Sequence, residues 1–350
     1  FIDASWESAE PGALFWDAII RGSPGDVYVE QGFKTVSTNP CSELAIPALE
    51  SCRLMVIPLT SFVVDPFLPT ASFDFKHFRK VTMKAQRLMD DLVDLEIECI
   101  DRIIEKISID PQPKSIKSVE LELWQGIRSM CIKGRRTGLG PTGVGDAIAA
   151  LGMQYGSEAS IKFVEEAYKS LTCASYASSI ALAKERGSFP IFSYGLEQNH
   201  QFINRIIRAA AEMDDLPSKL LNDWERHGRR NIACTTTAPT GSVSIMTKTT
   251  SGIEPAYLLS YKRRRKISPN VANTRVDYVD AMGDRWTEYQ VYHHWFEKWM
   301  MITGKTAVEE SPYWKATSND IDWRAGVALQ SAAQQFLDHS ISKTVNVPAD

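Results

Sequence analysis

The chain has 350 residues, 44% of them hydrophobic and 23% charged, the balance of a soluble globular protein with enough apolar material for a sizeable core. Its 39 basic and 43 acidic residues leave a net charge of -4, which gives no global field for gripping a nucleic-acid backbone, so any anionic ligand needs a local site. Six scattered cysteines without a CxxC pair, and histidines out of register with them, offer neither a zinc pattern nor a disulfide framework, and no apolar run of membrane-spanning length or signal segment occurs; no metal, nucleic-acid or membrane partner is expected, and a cytoplasmic location is.

Residues 4–22 carry Trp6, Leu14, Phe15, Ala18 and Ile19 at helical spacing and predict a short helix, broken by Ser23-Pro24-Gly25-Asp26. Val27–Val29 and Lys34–Ser37 are expected to be extended. They lead into Asn39-Pro40-Cys41, where Pro40 biases Asn39 away from the helical region and puts Cys41 on a loop or turn. Arg53–Val64 is β-prone and apolar, a buried strand. Phe75–Ile107 predicts a long helix with Val81, Leu88, Leu92, Leu95 and Ile103 on one face, and a second helix covers about 118–133. Thr137-Gly138-Leu139-Gly140 leads through Pro141-Thr142-Gly143 into a helix beginning near Val144. Ser157–Arg186 predicts a further long helix, alanine- and serine-rich, ended by Gly187. Asn231–Thr237 is β-prone, Ala238–Ser242 is a turn, and Val243–Met246 starts the next element. Residues 255–280 read as irregular and basic, with helices around 286–303 and 322–338. Helices alternating with short buried strands predict an α/β layout with parallel strands in a single domain, 1–350.

Chemistry concentrates in a few places. Asn39, Cys41 and Glu43 alternate, so an extended segment would turn an amide, a thiol and a carboxylate to one side. A carboxylate can take a proton from a hydroxyl, an amide can orient it, and sulfur can do one-electron or nucleophilic work. The same five residues also describe a plain turn with one buried cysteine. Cys52 follows across a short connection and is either a redox partner on a neighbouring segment or another buried thiol. Ala238-Pro239-Thr240-Gly241-Ser242-Val243-Ser244 places hydroxyls and free N–H groups at a helix start, a phosphate cradle without the lysine of a P-loop, or an ordinary N-cap. Lys262-Arg263-Arg264-Arg265-Lys266 reads as a solvated face, and His293-His294 as packing or surface. Gly138-Leu139-Gly140-Pro141-Thr142-Gly143 spells GxGxxG, but a helix and a basic turn precede it where a dinucleotide site needs a strand.

Together these blocks resemble the ribonucleotide reductase large subunit, most closely its adenosylcobalamin-dependent class. Asn39-Pro40-Cys41-Ser42-Glu43 resembles the NPCxE signature, and Glu50-Ser51-Cys52 stands where that family has its second active-site cysteine. Arg136-Thr137-Gly138-Leu139-Gly140, the 238–244 loop, Ser251-Gly252-Ile253-Glu254-Pro255 and the 340–348 segment follow in family order. The resemblance implies a ten-stranded α/β barrel with a finger loop through its centre carrying Cys41. It implies that Cys41 becomes a thiyl radical, that Glu43 accepts the 3′-hydroxyl proton and Asn39 bonds the ribose hydroxyls. Cys52 would be half of the reducing dithiol, and Pro239, Thr240, Gly241, Ser242, Val243 and Ser244 would hold the substrate phosphates. It further implies ribonucleoside di- or triphosphate reduction, adenosylcobalamin as cofactor, a thioredoxin-type dithiol reductant and a nucleotide effector bound through an upstream region. After Cys52 the family usually reads N-L-G-S, whereas this chain has Arg53-Leu54-Met55-Val56. The sequence reads as an internal piece lacking the partner cysteine of Cys52. Oligomeric state stays open. Rivals are a glycyl-radical lyase on a related barrel and a barrel fragment inactive without a partner chain.

Overall fold

Four short parallel lanes, lying side by side and joined by helical crossovers, form the wall on which everything else hangs. They are seen in a computed structural model that describes residues 1–8, 10, 12–268 and 274–346. Helices α1 (Ile2–Ser8) and α2 (Trp16–Gly22) replace the single helix expected over 4–22, and a 3₁₀ segment, Pro24–Gln31, replaces the extended piece expected at Val27–Val29. Strands β1 (Ser37–Thr38) and β2 (Ala45–Ile46) make a small antiparallel hairpin. Next come β3 (Leu54–Pro58), a 3₁₀ turn, β4 (Val63–Val64) and β5 (Ser72–Phe73), so the apolar stretch after Arg53 is two strands rather than one.

Helix α3 (Phe75–Ile109) starts where the Asp74 side chain accepts from the His77 N–H at 2.8 Å, and stops where Pro111 and Pro113 cannot continue it. Helix α4 (Lys114–Gly134) returns to β6 (Gly138–Thr142), which pairs in parallel with β3 from Leu54↔Gly138 to Pro58↔Thr142. Helices α5 (Val144–Ala150), α6 (Glu158–Arg186), α7 (Tyr194–Glu197), α8 (Gln201–Ala211) and α9 (Leu220–His227) then cover the sheet. The third lane is 233–237, joined to β6 by a parallel bridge Leu139↔Thr235, and the fourth is 340–342, bridged in parallel as Thr237↔Ile341. Between them lie α10 (Gly241–Thr247), β7 (Ser260–Lys266), β8 (Tyr278–Val279), β9 (Arg285–Tyr292), α11 (His294–Thr303) and α12 (Trp323–Gln334).

Parallel lanes need long crossovers, and each neighbouring pair here is joined through helices, as expected of an α/β layout. Lanes 54–58 and 138–142 are joined by α3 and α4, the next two by α5 to α9. The α6 helix is the centre of the core. Ser170, Thr172, Ser175 and Ser179 are fully buried along it, small enough to let α3, α8, α9 and α12 pack closely.

One further stretch departs from expectation. Residues 255–280 are not irregular throughout: β7 and β8 both pair antiparallel with β9, and β9 also takes the first part of the helix expected at 286–303. The reason is the lack of alternation. In β7 the pattern of charges hid a strand that is exposed along its whole length, and strand pairing there follows cross-strand partners such as Arg264↔Glu288 rather than burial. The described residues also form no closed barrel; the lanes make an open wall. Among the described residues no helix is long and apolar enough to cross a membrane.

The third lane approaches β6 so closely that a Cβ on Gly140 would overlap the Thr236 carbonyl oxygen, and one on Gly138 would stand 2.9 Å from the Arg53 carbonyl oxygen. These glycines fill no phosphate cradle; their missing side chains are occupied by neighbouring backbone. Gly140→Ala is therefore expected to cost about 1–3 kcal/mol or more by overpacking, whereas Gly22→Ala, with nothing within 4 Å, stays within about 0.5 kcal/mol; denaturant unfolding of the two variants checks this.

Candidate active site

Asn39 and Glu43 sit at the two ends of the turn between β1 and β2, and Cys41 at its tip. The Asn39 N–H donates to the Leu44 carbonyl at 3.1 Å, and the Leu44 N–H returns to Asn39 Oδ1 at 3.0 Å. Ser42 takes φ 61, a left-handed conformation uncommon outside glycine, so the chain doubles back rather than extending. This corrects the expected alternation: Cys41 faces solvent while Glu43 is 1% exposed.

Glu43 is anchored by its backbone. Its carbonyl accepts from Thr236 Oγ1 at 2.8 Å and from the Ser340 N–H at 2.8 Å, which ties the turn to the third and fourth lanes. Its side chain is left over: Oε2 is buried and has no hydrogen-bond partner among the described residues. A buried, unpartnered carboxylate oxygen is costly and calls for a physical reason, a ligand or reacting group that satisfies it being one.

Cys52 is exposed, and Asn39 Nδ2 lies 3.9 Å from its Sγ. Partial burial first, then the nearby charge of Glu43 and of Cys41, pushes the Cys52 thiol up to about 11, against a smaller opposite pull from Arg53. Cys52 thus lies near Asn39, Glu43 and Cys41, which a turn rather than an extended segment presents to it. Of the remaining cysteines, Cys131, Cys173 and Cys234 are buried and Cys99 is exposed beside Arg102.

The 238–244 loop leaves the third lane directly after Thr236 and Thr237. Pro239 is three residues beyond the residue that holds Glu43, a reach of no more than about 11 Å. Thr240 is left-handed at φ 55, and its Oγ1 meets Thr142 Oγ1 at 2.9 Å and accepts from the Gly252 N–H at 2.7 Å. Gly252 fits only because it lacks a Cβ, which would stand 2.7 Å from the Ala238 carbonyl oxygen. Ser244 is buried, its Oγ on the Gly241 carbonyl at 2.8 Å and the Ser251 hydroxyl at 2.9 Å, while Gly241, Ser242 and Val243 are exposed. The Ser244 N–H donates to the Thr240 carbonyl at 2.8 Å, while the N–H groups of Gly241, Ser242 and Val243 precede any acceptor within the helix.

Beyond Ser251 opens a cavity of about 600 Å³ lined among others by Glu254, Tyr257, Tyr261, Trp323 and Lys343. Lys343 is nearly sealed and bonds Glu254 at 3.2 Å. His293, on the same wall, meets the buried Asp146 Oδ1 at 2.6 Å, which also accepts from the Tyr313 hydroxyl at 2.8 Å. The sequence pattern singles out neither Thr236 nor Asp146; only the family-like blocks around 251–255 and 340–346 point toward Glu254 and Lys343, and Val347 and Pro348 of the second block lie outside the described residues. Among those residues no group of three or more His, Cys, Asp and Glu side chains could hold a metal ion.

A family model described as "Ribonucleotide reductase, barrel domain" matches residues 1–350. A vitamin B12-dependent ribonucleoside-diphosphate reductase of Thermoplasma acidophilum is 28% identical over 357 residues, taking in 100% of this chain and 38% of that protein. A protein of the same name from Mycobacterium tuberculosis is 27% identical over 353 residues, 99% of this chain and 42% of its own. A vitamin B12-dependent ribonucleotide reductase of Rhodopirellula baltica is 27% identical over 381 residues, 99% of this chain and 33% of its own. The chain spans about two fifths of the length of the first two of these relatives.

The raised Cys52 thiol yields a direct expectation. It stays protonated across the neutral range, so its alkylation by iodoacetamide, followed by peptide mass spectrometry, climbs with pH up to a midpoint near 11 and runs slower at pH 8 than that of the same cysteine in the unfolded chain.

Proposed function

Since this chain belongs to the ribonucleotide reductase barrel-domain family, we propose that it is the catalytic wall of an enzyme reducing ribonucleoside di- or triphosphates to 2′-deoxyribonucleotides. The observation that carries this reading is the buried Glu43 carboxylate with an unpartnered oxygen, set on the same turn as an exposed cysteine and beside a second one. In this reading the Cys41 sulfur, as a thiyl, takes the 3′ hydrogen of the ribose. Glu43 accepts the 3′-hydroxyl proton, the task for which its free oxygen is suited. Asn39, oriented by its bond from the Leu44 N–H, positions the ribose hydroxyls. The 2′-hydroxyl takes one thiol proton and leaves as water, Cys52 and a partner thiol outside this chain supply the other hydrogen and two electrons to the 2′ carbon and become a disulfide, and Glu43 returns its proton to the 3′ oxygen. Hydrogen returns from Cys41 to the 3′ carbon, which restores the thiyl.

Residues 239–244 are proposed to bind the substrate phosphates. The support is the helix-start N–H groups of the exposed Gly241, Ser242 and Val243, the hydroxyls and the short tether to Thr236, which fit a phosphate held within a nucleotide's length of Glu43. No net positive chain is needed for such a cradle. The open wall of four lanes is read as part of a ten-stranded barrel whose finger loop is the β1–β2 hairpin, the whole of 1–350 serving as one catalytic domain.

Adenosylcobalamin is the proposed cofactor, and the cavity beyond Ser251 fits part of it. Its aromatic faces at Tyr257, Tyr261 and Trp323 suit a base, its polar groups at Ser251 and Asn346 suit a ribose, and about 600 Å³ admits a nucleoside. When bound, this cofactor supplies the unpaired electron that the cysteine carries. A thioredoxin-type dithiol is proposed to re-reduce the site, and a nucleotide effector to act through a region outside this chain.

Two outcomes test the reading in the full-length protein. Cys41→Ser is expected to abolish ribonucleotide reduction while substrate binding stays within about twofold, because the thiol contributes to the reaction rather than to uniform binding; full turnover by that variant overturns the assignment. Omitting adenosylcobalamin from the purified single-subunit enzyme is expected to abolish turnover, and undiminished activity without it removes the cofactor from the proposal.

A further inference from the structure

Cys52 is exposed, yet its neighbours on both sides are locked. Two positions before it, the Glu50 side chain is fully buried and one of its oxygens takes the Arg136 Nε–H. Directly after it, the Arg53 side chain is 4% exposed and bonds through each of its three nitrogens: Nε on Glu96, Nη1 on the Arg136 carbonyl at 3.0 Å and Nη2 on Cys131 Sγ at 3.0 Å. Both anchors therefore converge on residue 136, one on its side chain and one on its backbone. Arg136 in turn reaches the neutral ring of His339 at 3.4 Å, beside the Ser340 N–H that holds Glu43. Gly25 leaves room for the guanidinium, since a Cβ there would stand 2.9 Å from Nη2.

Burying these charges is poorly explained by stability. Taking a guanidinium and a carboxylate out of water costs several kcal/mol per ion, and apolar residues of similar volume often serve stability as well or better. The Glu50–Arg136 pair is also incompletely satisfied, with Glu50 Oε1 and Arg136 Nη2 lacking partners among the described residues. What such pairs provide is direction. A cysteine that must close a disulfide with a thiol on another segment needs its Cβ placed within about 4 Å of its partner's, while its sulfur remains free to react.

We infer that Arg53 and Glu50 are positioning residues for Cys52, holding its backbone from both sides through Arg136 while leaving the thiol unencumbered. This rests on the reading of Cys52 as half of the reducing dithiol. Neither residue touches the proposed substrate site. Arg53 stands where the chain departs from the Cys-Asn-Leu-Gly pattern it otherwise resembles, so the right-hand anchor is a feature of this sequence. The groups that face the thiol are Glu43, Cys41, Asn39 and Arg53, and of the charged ones only Arg53 favours the thiolate.

The test uses the full-length protein with Arg53→Gln, Arg53→Lys and Glu50→Gln. Arg53→Gln is expected to lower kcat about 100-fold with KM within about twofold, the mark of a misplaced reacting group. It also slows alkylation of Cys52 at pH 9, read by peptide mass spectrometry, by about threefold or more as the thiolate fraction falls. Arg53→Lys keeps the charge but not the three-way hold, so alkylation stays near the parent rate while kcat still falls. Glu50→Gln keeps the size and removes the ion pair, and it is expected to lower kcat without moving KM. Should Arg53→Gln fail to fold, the other two variants carry the test. Unchanged kcat in Arg53→Lys and Glu50→Gln overturns the proposal. So does a loss of activity that tracks a fall in Tm while Cys52 alkylation in Arg53→Gln stays at the parent rate, since that is a merely structural role. Cys52→Ser separates the two levels: full turnover by it removes the dithiol reading, whereas the alkylation rates judge the anchors without reference to turnover.

Discussion

The close approach of the third lane to β6 is the constraint on which the rest depends. Thr236 presses its carbonyl into the space that a side chain on Gly140 would fill, and its hydroxyl reaches the other way to the Glu43 carbonyl at 2.8 Å. One residue thus sets the spacing of the wall and the position of the turn in front of it. The fourth lane is fixed by the same contact, because the Ser340 N–H shares that carbonyl and the Thr237 N–H donates to Ser340 at 3.2 Å. Glycine in a strand interior normally weakens it; here it is what lets two backbones meet.

Charge is handled by the same economy. The chain is nearly neutral overall, yet its interior holds several acidic groups, two of them where lanes must be aligned. Asp90 is fully buried and gathers Arg135 at 2.8 Å, Asn231 at 3.1 Å, and Arg186 and Arg230 at 3.2 Å. Burial alone would raise its carboxyl, but the arginines outweigh that and hold it below the ordinary range. Asp338 shows the opposite balance: it accepts from the Cys234 and Thr235 N–H groups at 2.7 Å and from the Tyr176 hydroxyl at 2.9 Å, yet burial dominates and its carboxyl is raised. The first carboxylate fastens α3 to the start of β6 and of the third lane, the second fastens the third lane to the fourth. Removing one partner of such a group leaves a buried charge unmatched, which is why these ties fix register more than they add stability.

Much of this was legible in the sequence where local physics decides. The helices α3 and α6 follow from their periodicity, from Asp74 and Ser157 as N-caps and from the prolines and Gly187 that end them. The cysteine-bearing turn follows from Pro40. What could not be read depends on distant neighbours. The glycines of 138–143 spell a dinucleotide pattern in the wrong context, and what they are for shows only when Thr236, far along the chain, is placed against them. The ribbon at 260–266 looks irregular because its charges answer partners on β9, not a core. The grouping of Asn39, Cys41 and Glu43 was anticipated from alternation, but Ser42 at φ 61 brings it about by another route, and only the fold separates an exposed thiol from a buried acid.

That separation bears on the chemistry itself. An extended strand would give Cys41 and Glu43 the same face and the same exposure. The left-handed Ser42 instead turns the chain between them, so the acid is buried and the thiol exposed. The acid then sits in a low-dielectric setting where an unpaired oxygen binds a hydroxyl strongly, and the thiol keeps the access that a reacting sulfur needs. Two residues apart, the same turn offers a dry proton acceptor and an approachable sulfur. A β-branched residue at position 42 would resist the positive φ that creates this difference, so a small polar residue at that position is part of the site although it has no chemistry of its own.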